Sequence, residues 1–274
     1  MIVQSALPND PHFVMTMAQH TELAGQFAAH FGNNEFTPVE PREVMLYIIS
    51  NHDAGWRDLD AQALRDPATG LPYNLVQTPF EYIIKTSAAS PEFKSQHHPY
   101  CGLISSMHSW GLYNGLYGMS DKVLLDGLAA DNRVDADRML DGEIGRQNQL
   151  RDALSGDSAT ASWIEESHVL QNYKQLQFFD TLALYFNCTH AEARETTTFS
   201  HVPMDGERDV DVTIQPLGDD LYALSPYPFN ESEVEFTYHG RYLEPCNDGT
   251  DVRAPLAAAP AQTQSIRLSS NPES

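Results

Sequence analysis

Cysteine is scarce in this chain: Cys101, Cys188 and Cys246 are the full set, and no CxxC pair occurs. That count argues against a disulfide framework and against a thiolate zinc knuckle, and leaves three reduced, mostly buried thiols as the expectation. Lysine is scarce as well, at Lys85, Lys94, Lys122 and Lys174 only. Positive charge as a whole is thin: 16 Lys and Arg face 38 Asp and Glu, for a net charge of −22. Such a surface repels nucleic acid and anionic lipid, so neither is expected as a partner, and a small-molecule substrate is. It suits a salty medium and ordinary solubility alike. No apolar run nears the ~20 residues of a membrane span. The opening residues carry neither the basic nor the apolar segment of a secretory leader, so a cytoplasmic location is expected.

What is present is enough for a core. Hydrophobic residues make up 41% of 274, which fits one large domain or a domain with an appendage. A single domain over 1–245 is expected. It comprises a hairpin over 1–15, a helical part over 16–190 and a β meander over 209–245. The hairpin follows from β-prone Ile2-Val3 and Phe13-Val14-Met15 around the turn chemistry of Pro8-Asn9-Asp10-Pro11. Leu23, Ala24, Phe27 and Phe31 then form a helical stripe, with His20 on the same face. Met45, Ile48, Ile49 and His52 form a second stripe, in a helix that is expected to end at Gly55. Thr78-Pro79-Phe80-Glu81 reads as a capping box, and Pro91–Pro99 as loop. Residues 121–156 read as two acidic surface helices, a candidate cover over a site, and a strong helix is expected from about Ser158 to Cys188. Val210, Val212 and Ile214 alternate, as do Val234, Phe236 and Tyr238, with His239-Gly240 as a tight turn. Residues 246–274, rich in Ala, Pro, Gln and Ser, are expected to be a disordered tail.

The residues that can carry chemistry are His20, the doublet His52-Asp53, His108 and Asp180, all on expected helices. Buried Asp needs a cation beside it, and Asp53 and Asp180 both fall on apolar stripes. The rival to a metal ion is Arg57. Neighbours in a regular helix do not face the same way, so His52 and Asp53 can converge only where the helix loosens, near Gly55. Imidazole and carboxylate together suit Fe, Mn, Co, Ni or Zn rather than Mg or Ca. Two His and two Asp make a net neutral site with room for water or substrate.

This order of His, then His-Asp, then a distant Asp resembles the HD superfamily, in which four such residues gather on adjacent helices around one metal. The resemblance implies an α+β fold: a mainly helical HD-like bundle, with a small antiparallel sheet joining the N-terminal hairpin to the C-terminal strands. It implies His20, His52, Asp53 and Asp180 as metal ligands. The hairpin, His52-Asp53-Ala54-Gly55-Trp56-Arg57, Asn172-Tyr173 and Ser225-Pro226-Tyr227-Pro228-Phe229 together also resemble an uncharacterised bacterial family with a domain of unknown function. Di-iron HD relatives of the myo-inositol oxygenase kind add two His. Here His108 is one candidate, and His97, His98 or His168 the other.

The resulting expectation is a metal-dependent hydrolase of a small molecule, such as a phosphoester. His108 would move protons, Arg57 would steer an anionic group, and Gln177, Trp56 and Tyr173 would stand behind the ligands or meet substrate. The alternatives are a non-haem iron oxygenase on the same scaffold, and a non-catalytic, metal-stabilised binding or sensor module. A lone inward His is ordinarily a hydrogen-bonded core residue. Trp56 reads equally as core, Arg57 as a partner of a surface acid, and Gln177 as a buried amide. Cys101, Ser105 and Ser106 near His108 lack the strained elbow of a serine nucleophile. The glycine-spaced Gly111-Leu112-Tyr113 and Gly115-Leu116-Tyr117 lack a P-loop lysine. His190, His201 and His239 read as solvated.

Overall fold

Two β-prone tripeptides around a proline-bounded turn form the first hairpin, β1 (Ile2–Val3) and β2 (His12–Met15). Thr16 then caps α1 (Met17–His30), its hydroxyl accepting from the Gln19 N–H while the Gln19 side chain answers the Thr16 N–H. The chain continues through α2 (Arg42–Ile49), α3 (Arg57–Gln62), α4 (Phe80–Ser95), α5 (Pro99–Tyr113), the single turn α6 (Gly115–Gly118), α7 (Ala130–Ser155) and α8 (Glu166–Cys188). It then enters β3 (Thr197–Pro203), β4 (Asp209–Gly218), β5 (Leu221–Ser225) and β6 (Glu233–Leu243), followed by α9 (Arg253–Ala258) and β7 (Ala261–Ser269). The computed structural model describes residues 1–247 and 249–270.

The expected fold class is overturned. About half of the chain is helical, and the strands form one seven-stranded, curled mixed sheet in the order β1-β2-β6-β7-β5-β4-β3. A small antiparallel sheet beside a mainly helical HD-like bundle does not describe it. The N-terminal hairpin does join the C-terminal strands, through β2 on β6. β7, from the stretch expected to be disordered, runs antiparallel to β6 and parallel to β5. Its side chains are mostly polar, with only Ile266, Leu268 and Ser269 buried. Its place is held by ladder hydrogen bonds that leave no mark on composition. Position 248 and residues 271–274 of that expected tail lie outside the described residues.

Other boundaries moved for local reasons. α4 runs through Pro91, where a loop was expected. Proline leaves the carbonyl four residues earlier without its helical donor, and the Ser109 hydroxyl of α5 supplies one to Ser87 O at 2.8 Å. Residues 130–155 are one helix instead of two, and α8 starts at Glu166 instead of Ser158. β6 passes straight through His239-Gly240, paired with β7 at both positions, and the glycine makes room for the Phe13 ring, which lies where a Cβ at position 240 would stand.

The sheet positions the site through α1 and α8, which lie against it and against each other. Phe27 of α1 meets Phe236 of β6 with ring centroids 4.8 Å apart, and Phe178 of α8 meets Phe199 of β3 at 5.7 Å. Burying such a ring is worth roughly 1.5–3 kcal/mol, so these contacts fix the helices that carry His20 and Asp180.

Candidate metal centre

Four segments meet at one buried point: α1 with His20, the turn after α2 with His52 and Asp53, α5 with His108, and α8 with Asp180. α2 ends at Ile49, earlier than expected, so the doublet lies in a turn and not on the helix. Freed from helical geometry, both side chains point inward. Gly55 follows in a short 3-10 turn, where a Cβ would collide with the backbone of Thr86 and Ser90 in α4. Its N–H is held by Ser90 Oγ at 2.9 Å. From the other side Lys94, wholly buried, donates to His52 O at 2.6 Å. Burial lowers the Lys94 pKa from 10.5 to about 7, against the pull of Asp53 and Cys101. The doublet is thus clamped onto α4, an arrangement with no signature in the residue pattern.

The hydrogen bonds decide which ring nitrogens are free. His52 Nδ1 lies 2.8 Å from Ile49 O. A carbonyl only accepts, so Nδ1 carries the hydrogen and Nε2 of the neutral ring is a lone pair. Among the described residues that Nε2 has no hydrogen-bond partner, and it faces Asp180 Oδ1 at 3.4 Å and Asp53 Oδ2 at 3.5 Å. His20 repeats the arrangement: Nδ1 donates to Asn187 Oδ1 at 2.9 Å, and Nε2 faces Asp180 Oδ1 at 3.0 Å. Lone pairs and carboxylate oxygens therefore converge with no donor among them. A proton or a cation must sit there. The fields agree: the Asp53 and Asp180 carboxylates outweigh burial and raise the His52 pKa, while His52 and His20 hold Asp180 well below the usual carboxylate range despite its burial.

His108 differs. Gln177 Nε2 donates to its Nδ1 at 2.6 Å, which places the ring hydrogen on Nε2, 4.0 Å from Asp180 Oδ2. Burial drives its pKa down to about 4, only partly offset by Asp180, so the ring is neutral near pH 7. Two overlapping groups can hold an ion, His20-His52-Asp53 and His52-His108-Asp180, each with ligand atoms within 4.8 Å of one another.

Other expected site residues lie elsewhere or play quieter parts. Arg57 is exposed, its guanidinium 4.6 Å above the Phe93 ring, and so turned to the surface. Trp56 belongs to the core. Tyr173 is buried with its hydroxyl unpaired, against Gly111. His97 stacks on Tyr47, His98 caps α5 through Nδ1, and His168 meets Asn172. None of the three joins the cluster among the described residues. Burial pushes the Cys101 thiol up to about 12, which leaves it inert. Asn187 and Lys94 were missed, since an isolated polar residue inside a helix has no sequence signature.

A cavity of about 520 Å³ opens beside the cluster, with Gln177 and Thr181 of α8 in its wall. No helix among the described residues is long and apolar enough to cross a membrane. No curated protein and no solved structure gives a match to the chain. A family model does, over residues 1–245: the chain belongs to the protein family of unknown function DUF3891.

Proposed function

We propose that this DUF3891 member is a metal-dependent enzyme, a hydrolase of a small molecule, with His20, His52, Asp53 and Asp180 as ligands to a divalent transition ion. The observation that carries it is the pair of imidazoles whose Nδ1–H groups are taken by Ile49 O and Asn187 Oδ1, leaving both Nε2 lone pairs aimed at carboxylates. Fixing the far ring nitrogen in this way is how proteins orient metal-binding histidines. When bound, such an ion supplies Lewis acidity and a water made nucleophilic near neutral pH. His108, neutral and with its hydrogen on Nε2 toward Asp180, can donate a hydrogen bond to negative charge that develops there, with Gln177 fixing the ring. Lys94 keeps the His52 carbonyl, and with it the doublet, in place.

Elemental analysis of untagged protein purified without added metal tests this. About one equivalent of Mn, Fe, Co, Ni or Zn is expected, and its loss in Asp180→Asn. Absence of metal in the wild type, with none taken up on titration, refutes the reading. A non-haem iron oxygenase is the second reading, favoured by the composition of each ligand group, two His and one Asp. Iron as the resident metal with dioxygen-dependent turnover would put it first.

A further inference from the structure

The cavity beside the metal centre is bounded by α5, α6, α8, β3 and the segment after α6. Its volume, about 520 Å³, falls in the range of small-molecule sites. Through Gln177, which donates to His108 Nδ1 at 2.6 Å, it adjoins the edge of the His108 ring opposite the Nε2 that faces Asp180. Its charge departs from that of the whole molecule. The chain has 38 acidic residues and four lysines, yet Lys122 and Lys174 line the cavity and no Asp or Glu does. Lys174 is held in place by Asp209, whose Oδ2 lies 2.5 Å from its Nζ and outside the lining. The lining also has an apolar part, with Leu112, Leu116, Phe178 and Phe199.

The backbone of this wall is also unusual. Leu116 and Tyr117 hold φ of 53° and 57°, and His201 holds 60° at a register shift between Phe199 and Val202. Left-handed backbone costs energy in residues other than glycine, and together with bulges it gathers at binding sites. Two of these three residues, Leu116 and His201, line the cavity. The Tyr117 ring braces the left-handed turn against Trp110 and Tyr173, with centroids 4.7 and 5.0 Å away.

We infer that this cavity is the substrate site of the metal centre and takes a small organic anion with an apolar body, its head held by Lys122 and Lys174. The inference rests on the metal-enzyme reading and adds the substrate class. Lys174 lies three residues before Gln177 on α8, about 4.5 Å along the helix axis. Both line the cavity, so the lysine and the residue that orients His108 share one wall.

Calorimetric titration of the full chain with octanoate, octyl phosphate and octanol tests the inference. The three share an apolar body and differ in the head. At least one anion is expected to bind tenfold or more tightly than octanol, and the better of the two identifies the head as carboxylate or phosphate. Lys122→Gln/Lys174→Gln should erase the preference, Lys122→Gln alone should reduce it, and Lys85→Gln, outside the cavity, should leave it intact. Equal binding of all three probes, or a preference that survives the double variant, overturns the proposal. Should the double variant not fold, the single Lys122→Gln decides, since its side chain is exposed. Metal content measured on the same samples separates the two readings. Metal without anion preference refutes the cavity alone, and anion preference without metal refutes the metal centre and the cavity's role as its substrate site, leaving an anion site only.

Discussion

Two buried polar clusters flank α8, and they are built on opposite principles. One surrounds Arg194, just beyond the C-terminus of the helix. Its guanidinium donates to Thr189 O, Phe186 O, and the hydroxyls of Tyr222 and Tyr238, and it lies over the Phe186 and Tyr222 rings. Tyr238 passes its own hydrogen to Gln264 of β7 at 2.5 Å. Four of five donors are spent on protein acceptors, so the cluster is complete as it stands. The other cluster, around Asp180, leaves His52 Nε2 without a partner and sets lone pairs against carboxylates. A buried group that saturates itself holds the fold together. A buried group left short of a donor, with its geometry locked from outside, can take up a proton or a cation.

The sharpest way to break this contrast is Arg194→Met. It removes the hydrogen bonds to the Tyr222 and Tyr238 hydroxyls, Phe186 O and Thr189 O together with the packing of the guanidinium on two rings, and a loss of about 3–5 kcal/mol is expected by urea denaturation. A loss below about 1 kcal/mol would mean that the saturated cluster is not structural after all. Comparable in size is a pH effect from Lys94. Its pKa is about 7 in the fold against 10.5 free, so the unfolded chain binds the extra proton between those values. Stability of metal-free protein should therefore rise with pH from about 7 to 10.5, by on the order of 4–5 kcal/mol, and be flat below 7 from this group. Lys94→Met should flatten that rise, and an unchanged slope in the variant would remove Lys94 as its source.

A smaller effect separates the clusters directly. Metal at a hundredfold excess over its Kd should stabilise the wild type by about 2.7 kcal/mol. The gain should vanish in Asp53→Ala and persist in an Arg194 variant that still folds. Equal gains in wild type and Asp53→Ala would place the ion elsewhere. Smallest is Tyr238→Phe, which removes one acceptor from Arg194 and one donor from Gln264, for about 1–2 kcal/mol in chemical denaturation. If it matched Arg194→Met, the tyrosine and not the guanidinium would be the keystone.

These clusters also differ in how far they could be read from residues alone. His20, His52-Asp53 and Asp180 stood out because charged or ionisable groups fell on apolar stripes in a patterned order, and the structure brings all four together with His108. Arg194, Asn187 and Lys94 fit no stripe or spacing. Their roles come from partners far away in sequence, as in the 167 positions between His20 and Asn187. The sheet was the weakest part of the reading. Helical periodicity marked α1, α2 and α8, but β3 and β7 carry little alternation, and a strand stabilised by its neighbours' backbones needs none. Arg57 was misplaced for a related reason: adjacency to the doublet in sequence says nothing about direction once the helix has ended at Ile49.

The position of β7 has a consequence for how the protein is made. β5 and β6 follow one another in the chain, yet in the sheet a strand-wide gap separates them, which only residues 261–269 fill. On one side of the gap lies β6, on which α1 rests with His20. On the other lie β5, β4 and β3, and α8 with Asp180 packs on β3. As the chain leaves the ribosome, every ligand of the centre emerges before the strand that joins the two halves of its platform. Ordering of these side chains is thereby deferred until residues 261–269 have been made, and a nascent chain stalled between Leu243 and Ala261 would carry all of them on an unclosed sheet.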